Sequence, residues 1–470
     1  MKNSLARYGA FLFSATAARA AGILITSLTF PYLVRVLGVK TYGLWSYVVA
    51  VCAVLDLIAD PGITTFITRH VAAHRLEATD LLADYFVLRA CGAGLGVVVV
   101  LAVAHWEPRT DVALLLRLFG IGLLFVNLVS ADHFLTALES FHVRSLLSVV
   151  QQIFYAAVIF LTVRHPSDVV WIPVAILGSS LLAAIAGWIM LFRLGLAVRL
   201  KLRPARWRQI LVPSFHYAGS SLMSNVYHRS GHVLVRWFLG DYALGLYAAA
   251  TRLVDLLCGF ITTIIHVLMP RLALDSHSLP VLKRTTRQVL AATAAVAIPI
   301  SFGLFATADR LVPWVLGASF LPAVALVKWL SPYVVTASAA SLWAGTVLYA
   351  LGRHRAYFAA TIGGAISGIV FYLVLIPAFG LTGAGVAFVL AELVVATIAF
   401  AMLPRELHDL WRNPMIGAAL ASAAFMAIFV RVASVYLVPL PWLICGGVLI
   451  YVATCGWYAR KWFSRHLRPA

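Results

Sequence analysis

Arg252 and Asp255 stand three residues apart inside a long apolar run, a spacing that puts a guanidinium and a carboxylate on one face of a helix. A guanidinium stays protonated and offers a planar fork of donors that matches an oxyanion such as phosphate. The nearby carboxylate can balance that charge until an anion arrives, because an unpaired buried charge is strongly unfavourable. Arg19 and Arg229 are further cations in apolar surroundings, and His228 and His232 flank Arg229. Asp56 and Asp60, at i and i+4, share a helix face, where two carboxylates disfavour simultaneous ionisation and one can carry a proton. Asp60 precedes Pro61 and Gly62, so capping a helix is its competing role. Arg89 and Glu392 are also isolated among apolar residues. The competing assignment for every one of these is a structural ion pair. A charge at a bilayer centre costs about 3 kcal/mol or more, so a partner or a function must hold it. The expected assignment is Arg19, Arg229 and Arg252 for binding an anionic substrate, and Asp56, Asp60, Asp255 and Glu392 for coupling or ion pairing. No catalytic residue, metal ligand set or cofactor is expected, with a proton or sodium gradient as the source of drive.

The elements that carry these residues follow from composition. Of 470 residues, 62% are apolar and 11% charged, against roughly 45 to 50% and about 25% in soluble proteins. The chain reads as an all-α polytopic membrane protein. Apolar segments of about 20 residues, the length that crosses the hydrocarbon core, number about 14. They lie near 11–35, 42–66, 81–104, 112–136, 146–163, 169–192, 210–236, 242–268, 289–308, 324–350, 356–377, 382–403, 415–433 and 437–459. Arg252 falls about 18 Å along its helix from Gly240, near the middle of a span. Arg117 and Asp132 fall near span ends, within reach of water.

Most of the 36 Lys and Arg residues fall in alternate loops, which the positive-inside rule places in the cytoplasm together with both termini. The most basic of these loops is Arg193 to Arg208, with no acidic residue. The formal charge of +19 therefore reads as topology and contact with anionic membrane lipids, not as nucleic-acid binding. The five cysteines all fall in spans without metal-ligand spacing and read as packing residues. Gly380-x-x-Gly-x-Gly joins two apolar helices with no strand before it, so it is a tight turn and not a nucleotide loop.

The halves of the chain resemble each other. Gly38, Gly43, Leu44 and Trp45 match Gly240, Gly245, Leu246 and Tyr247 at identical spacing, and Arg69 matches Arg271. Ala137-Leu-Glu139 pairs with Ala350-Leu-Gly352 at a slightly different offset. Six spans separate matched elements, and an even number preserves direction, which makes the halves parallel repeats about an axis along the membrane normal. The expected organisation is a six-helix lobe over 1–192, a basic cytoplasmic linker over 193–209, a second six-helix lobe over 210–403, and two further transmembrane helices with a basic tail over 404–470. Spans 1, 2, 7 and 8 are expected to line a cavity holding the deep charges.

This order of motifs resembles the Wzx-type polysaccharide flippases of the multidrug/oligosaccharidyl-lipid/polysaccharide exporter superfamily. The resemblance is carried by Pro31-Tyr-Leu-Val-Arg35-Val-Leu-Gly38 running into Tyr42-Gly-Leu-Trp45, by Ala59-Asp60-Pro-Gly62 with Arg69, and by Ala137-Leu-Glu139. It continues in Gly317-x-x-Phe320-x-x-Ala323 and in Gly380-Leu-Thr-Gly383-Ala-Gly385 leading to Glu392. It implies a flippase that moves undecaprenyl-pyrophosphate-linked oligosaccharide units of O-antigen, capsule or exopolysaccharide across the bacterial inner membrane by alternating access. Polysaccharide polymerase or chain-length machinery would then be a partner, and a monomer would suffice. Lipid II flippases, more distant relatives, carry a basic and acidic pair on span 8 and an arginine on span 1, which Arg252, Asp255 and Arg19 match by position; a further arginine of theirs is replaced here by Ile25. The alternatives are a drug or small-molecule antiporter of the same superfamily, disfavoured by the excess of deep arginines, and a membrane glycosyltransferase or polymerase, disfavoured by short external loops.

Overall fold

The computed structural model describes residues 2–73, 78–138, 140–193, 203–275, 278–436 and 438–466. They form helices and short turns, with no strand among them. The α-helices are α1 (Lys2–Ala59), α2 (Ile63–Ala73), α3 (Ala78–Trp106), α4 (Thr110–Val129), α5 (Asp132–Ala137), α6 (Phe141–Thr162) and α7 (Trp171–Arg193), then α8 (Pro204–Asp275). After it come α9 (Leu279–Val315), α10 (Ala323–Leu330), α11 (Tyr333–Leu342), α12 (His354–Ala401), α13 (Pro414–Val435) and α14 (Leu440–His466). The chain falls into two compact units, Met1–Val233 and Leu234–Ala470.

Among the described residues, eleven helical stretches are long and apolar enough to cross a membrane, where about fourteen spans are expected from sequence. Three of the stretches contain a break: at Gly38 in α1, Gly240 in α8 and Gly380 in α12. At 1.5 Å per residue, a straight α12 of 48 residues would be about 72 Å long, more than twice a hydrocarbon core. Instead its two ends meet. Arg353, just before α12, donates from Nη1 to the carbonyl of Met402, just after it, at 2.9 Å. Gly383 lies so close to the Leu375 carbonyl that a Cβ there would collide with it. The helix therefore turns back on itself at Gly380.

Gly38 has φ 69° and ψ 174°, and Gly240 has φ 81° and ψ −178°. This backbone region is essentially closed to any residue with a Cβ. The two glycines that anchor the sequence repeat thus share one conformation.

Side-chain contacts set helix directions in the first unit. The Tyr32 hydroxyl donates to the Val163 carbonyl at 2.6 Å, and Gly22 faces Gln152, so the first half of α1 runs parallel to α6. Trp45 meets Phe119 edge to face at 5.0 Å and Asp56 meets Asn127, so the second half runs parallel to α4. Gly120 faces Val100 and Gly96 faces Leu124, an antiparallel α3 and α4. Trp188 Nε1 donates to the Val129 carbonyl at 2.8 Å and Gly122 faces Leu177, which sets α7 parallel to α4. These directions alternate along the chain, as six successive spans require. Lipid tails are as apolar as leucine, so close van der Waals contact through small residues holds such helices together. A tighter apolar core forms where α2, α3, α5 and α7 converge, around Ile67, Tyr85, Phe134 and Leu191.

Of the basic segment expected as the cytoplasmic linker, residues 194–202 lie outside the described residues. Beyond them, the Arg203 amide and the Trp207 indole both donate to Asp84 Oδ1, at 2.9 and 2.8 Å, tying the start of α8 to α3.

In the second unit α13 runs parallel to α9. Asn413 Nδ2 donates to the Arg287 carbonyl at 3.1 Å, and at the other end Arg310 donates to the carbonyls of Val438, at 2.6 Å, and Ser434. The seam between them is mostly small: Ala291, Ala294, Ala419 and Ala423, with Met415 and Met426. α14 returns antiparallel, with Gly447 against Val430, and Tyr451 donates to the Ala295 carbonyl at 2.8 Å. Tyr333 stacks on Phe388 at 4.4 Å and Trp343 meets Phe400 at 5.4 Å, so the second half of α12 follows α11 and the π-helical turn Trp343–Leu348. Of the cysteines, Cys52, Cys258 and Cys455 are buried packing residues, whereas Cys91 and Cys445 are exposed on helix surfaces.

Candidate functional site

In the first unit the carboxylates on α1 become part of a polar group inside an apolar bundle. Asp60 ends α1, and with Pro61 and Gly62 it separates α1 from α2. Its Oδ1 accepts from the Thr64 amide at 3.2 Å, satisfying one of the unpaired donors at the start of α2. Its Oδ2 lies 2.7 Å from Nη1 of Arg89, which α3 presents from a buried position. Tyr85, one turn earlier on α3, shares its hydroxyl with Thr64 at 3.5 Å. Asp56, one turn before Asp60, instead accepts from Asn127 Nδ2 of α4 at 2.6 Å. The two carboxylates therefore differ in kind. Asp60 faces a fixed cation, whereas the bond that Asp56 accepts comes from a neutral amide. The spacing of Asp56 and Asp60 was legible in the sequence; the distinction was not, because it depends on which neighbouring helix each meets.

Arg19 is within α1, but its side chain lies outside the described residues, as do those of Arg69, Glu139 and Arg271. Arg229, with His228 and His232 on either side, is half-buried in the part of α8 that belongs to the first unit. Asp132 is half-buried at the start of α5, and Arg117 is exposed.

In the second unit α8 continues beyond Gly240. Ala248, Ala249, Ala250, Thr251, Leu253 and Val254 are buried, whereas Arg252 and Asp255 are both exposed. The i, i+3 pair thus shares a face turned away from the packed core of its own unit. Behind it, the hydroxyls of Tyr247 and Tyr372 meet at 2.9 Å, joining α8 to the first half of α12. Both tyrosines are fully buried, and a buried phenol needs such a partner. Glu392, 5% exposed on the second half of α12, and Asp255 lie within Coulombic reach of Tyr372 and of Cys258. Neither tyrosine stands out by sequence, since one buried tyrosine in an apolar run looks like any other.

The expected residues fall into an α1 group of Asp56 and Asp60, an α8 group of Arg229, Arg252 and Asp255, and Glu392 on α12. Arg89, Asn127, Tyr247 and Tyr372 join them. No cluster of His, Cys, Asp and Glu able to hold a metal ion occurs among the described residues. What the arrangement offers chemically is an exposed guanidinium with a carboxylate on the same helix face, and separately a carboxylate hydrogen-bonded to an amide.

Comparison with known proteins places this geometry. The structure superposes on the lipid II flippase MurJ in an inward closed conformation with a TM-score of 0.76, at 13% identity over 97% of this chain and 99% of that one. An inward-facing multidrug resistance MATE family transporter of the MOP superfamily gives 0.63, at 14% identity over 87% and 99%. A MOP superfamily transporter from Pyrococcus furiosus, described as having a binding pocket of reversed polarity, gives 0.57, at 14% identity over 87% and 96%. A search of curated proteins gives no match. The fold is that of MOP superfamily transporters, a multi-pass membrane architecture. A family model described as polysaccharide biosynthesis protein matches residues 12–274, more than half of the sequence; the chain belongs to that family.

Proposed function

We infer that this protein is a flippase that carries undecaprenyl-pyrophosphate-linked oligosaccharide units from the cytoplasmic to the outer leaflet of a bacterial inner membrane. The units would be those of O-antigen, capsule or exopolysaccharide. Membership of the polysaccharide biosynthesis family and a transporter fold support this reading together. The observation that carries it is the exposure of Arg252 with Asp255 on one face of a stretch in which Ala248, Ala249, Ala250, Thr251, Leu253 and Val254 are buried. A pyrophosphate brings at least two negative charges that must leave water, and a guanidinium fork fits its oxygens. Arg252, with Arg19 and Arg229, binds the pyrophosphate, while Asp255 balances Arg252 when no substrate is present. The lobes at 1–192 and 210–403 alternate access, with the linker and both termini in the cytoplasm. A proton or sodium gradient drives the cycle, Asp56 being the carboxylate that changes charge, while Asp60, Asp255 and Glu392 serve in coupling or ion pairing, Asp60 with Arg89. The transporter acts as a monomer, beside the polymerase and chain-length machinery that consume its product, and it catalyses no covalent step.

The test is flipping of lipid-linked oligosaccharide in reconstituted vesicles, normalised to folded protein. Arg252→Ala removes flipping, and Arg252→Lys, which keeps the charge and loses the fork, impairs it. Wild-type flipping by Arg252→Ala would end this assignment. A loss of folded protein in proportion to the loss of flipping would make Arg252 a stabilising residue only.

A further inference from the structure

A groove of about 330 Å³ opens in the second unit between α9, α11, the end of α12 and the start of α13. Its walls are almost wholly apolar, including Leu290, Ile298, Leu342, Trp343 and Phe400. From Leu290 to Ile298 it follows α9 for about 12 Å. An apolar cleft of this kind in a membrane-spanning helix bundle suits an apolar chain, since water finds too few partners there.

Three features at one end select the kind of chain. Residues Arg405–Arg412 form a 3-10 segment that buries Leu407 and Leu410 and turns its charges outward, the pattern of a segment lying in a membrane interface. Trp411, 59% exposed, lines the groove at this end, and aromatic rings of this amphipathic type sit at headgroup level. The Arg412 guanidinium lies 5.0 Å above the Trp411 ring and makes no ion pair with a carboxylate among the described residues. Of the two carboxylates on this segment, Glu406 and Asp409, the one nearer in sequence, Asp409, is already taken by Lys283 at 2.9 Å and Arg287 at 3.2 Å. Arg412 is therefore a cation without a carboxylate partner among the described residues, at the end of the segment where a headgroup would lie. Below it, Thr293 lines the groove, 3% exposed, and its hydroxyl has no hydrogen-bond partner. It is about 9 Å along the helix from Arg287, below the charged end of the groove. A buried hydroxyl without a partner is unfavourable, and an acceptor brought by the ligand would satisfy it.

We propose that this groove is a binding site for an anionic diacyl phospholipid, with one acyl chain between α9 and α11, the phosphate at Arg412, and an ester oxygen accepting from Thr293. The site belongs to the second unit alone and does not depend on which substrate the protein carries.

The experiment uses the full-length protein in vesicles containing phosphatidylglycerol with a diazirine on one acyl chain, and maps labelled residues by mass spectrometry. A parallel set carries the same probe on phosphatidylcholine. Labelling by the anionic probe is expected to concentrate on 290–298 and 338–343 at several times the level on other lipid-facing helices. Arg412→Gln is expected to lower it severalfold for phosphatidylglycerol and leave phosphatidylcholine labelling unchanged, while Thr293→Val lowers it less. Ala339→Phe, which fills the groove without touching a charge, should abolish the concentration, and thermal stability shows that the variant remains folded. Equal labelling by both probes, or labelling spread evenly over the helix surfaces, would overturn the proposal. So would displacement of the anionic probe by a small amount of polyprenyl phosphate, which would assign the groove to an isoprenoid chain.

Discussion

Removing the acid of the Arg89–Asp60 pair should harm the protein more than removing the base. The two charges are 2.7 Å apart, and at an effective dielectric of about 20 their attraction is about 6 kcal/mol before desolvation is subtracted. The Arg89 side chain is 5% exposed and that of Asp60 18%. Asp60→Asn keeps an oxygen for the Thr64 amide and so preserves the cap, but it leaves a guanidinium that cannot shed its proton in an apolar interior. Such an orphaned charge costs roughly 3 to 5 kcal/mol. Arg89→Met leaves a carboxylate that is nearer water, keeps one hydrogen bond and can take up a proton, so about 2 kcal/mol is the reasonable loss. The double variant Asp60→Asn, Arg89→Met should recover most of the deficit, giving a coupling of about 2 kcal/mol or more. The assay is thermal unfolding in one detergent at a fixed scan rate, where a unit of this size loses about 2 to 4 °C per kcal/mol. Equal losses from the two single variants, or additive losses in the double, would refute the reasoning.

Gly38→Ala and Gly240→Ala should each cost about 1 to 3 kcal/mol, because neither backbone conformation admits a Cβ; thermal unfolding of each variant beside Gly94→Ala, a glycine with ordinary φ and open space, checks it. Asp56→Asn should remove the dependence of flipping on a pH gradient while the protein stays folded, and gradient-driven transport unchanged in this variant would exclude Asp56 as the coupling residue. Arg310→Met loses charged hydrogen bonds to the Val438 and Ser434 carbonyls and should cost about 1.5 to 3 kcal/mol, read as a lowered midpoint and as faster proteolysis near residue 437.

Membrane spans and their punctuation were legible because both are local. A run of apolar residues must be long enough to cross, and Gly38 and Gly240 stand where a helix breaks through a backbone conformation that only glycine adopts. The pairing of Gly38 with Gly240 proved visible in sequence because the same constraint acts twice. Interactions between helices were less legible. Nothing in the spacing of Asp56 and Asp60 says that one meets Asn127 and the other Arg89, since the outcome depends on helix rotation and tilt. The Tyr247 and Tyr372 hydroxyls, 125 residues apart, meet only because the first half of α12 packs beside α8. The π-helical turn at Trp343–Leu348 likewise has no local signature in its residues.

The hairpin at Gly380 has a consequence for how such a chain can change over evolutionary time. Its two arms are joined at one end by the turn itself and at the other by Arg353 and Met402, so a residue inserted at the turn would shift one arm against the other and break every contact between them. Inserted sequence is tolerated where backbone is exposed and carries few contacts, which here means connections such as the exposed 164–167 between α6 and α7 and not the glycine turns. Relatives of this protein should therefore vary in length at the connections between hairpins, and new recognition surfaces should arise there, while the turns keep their register.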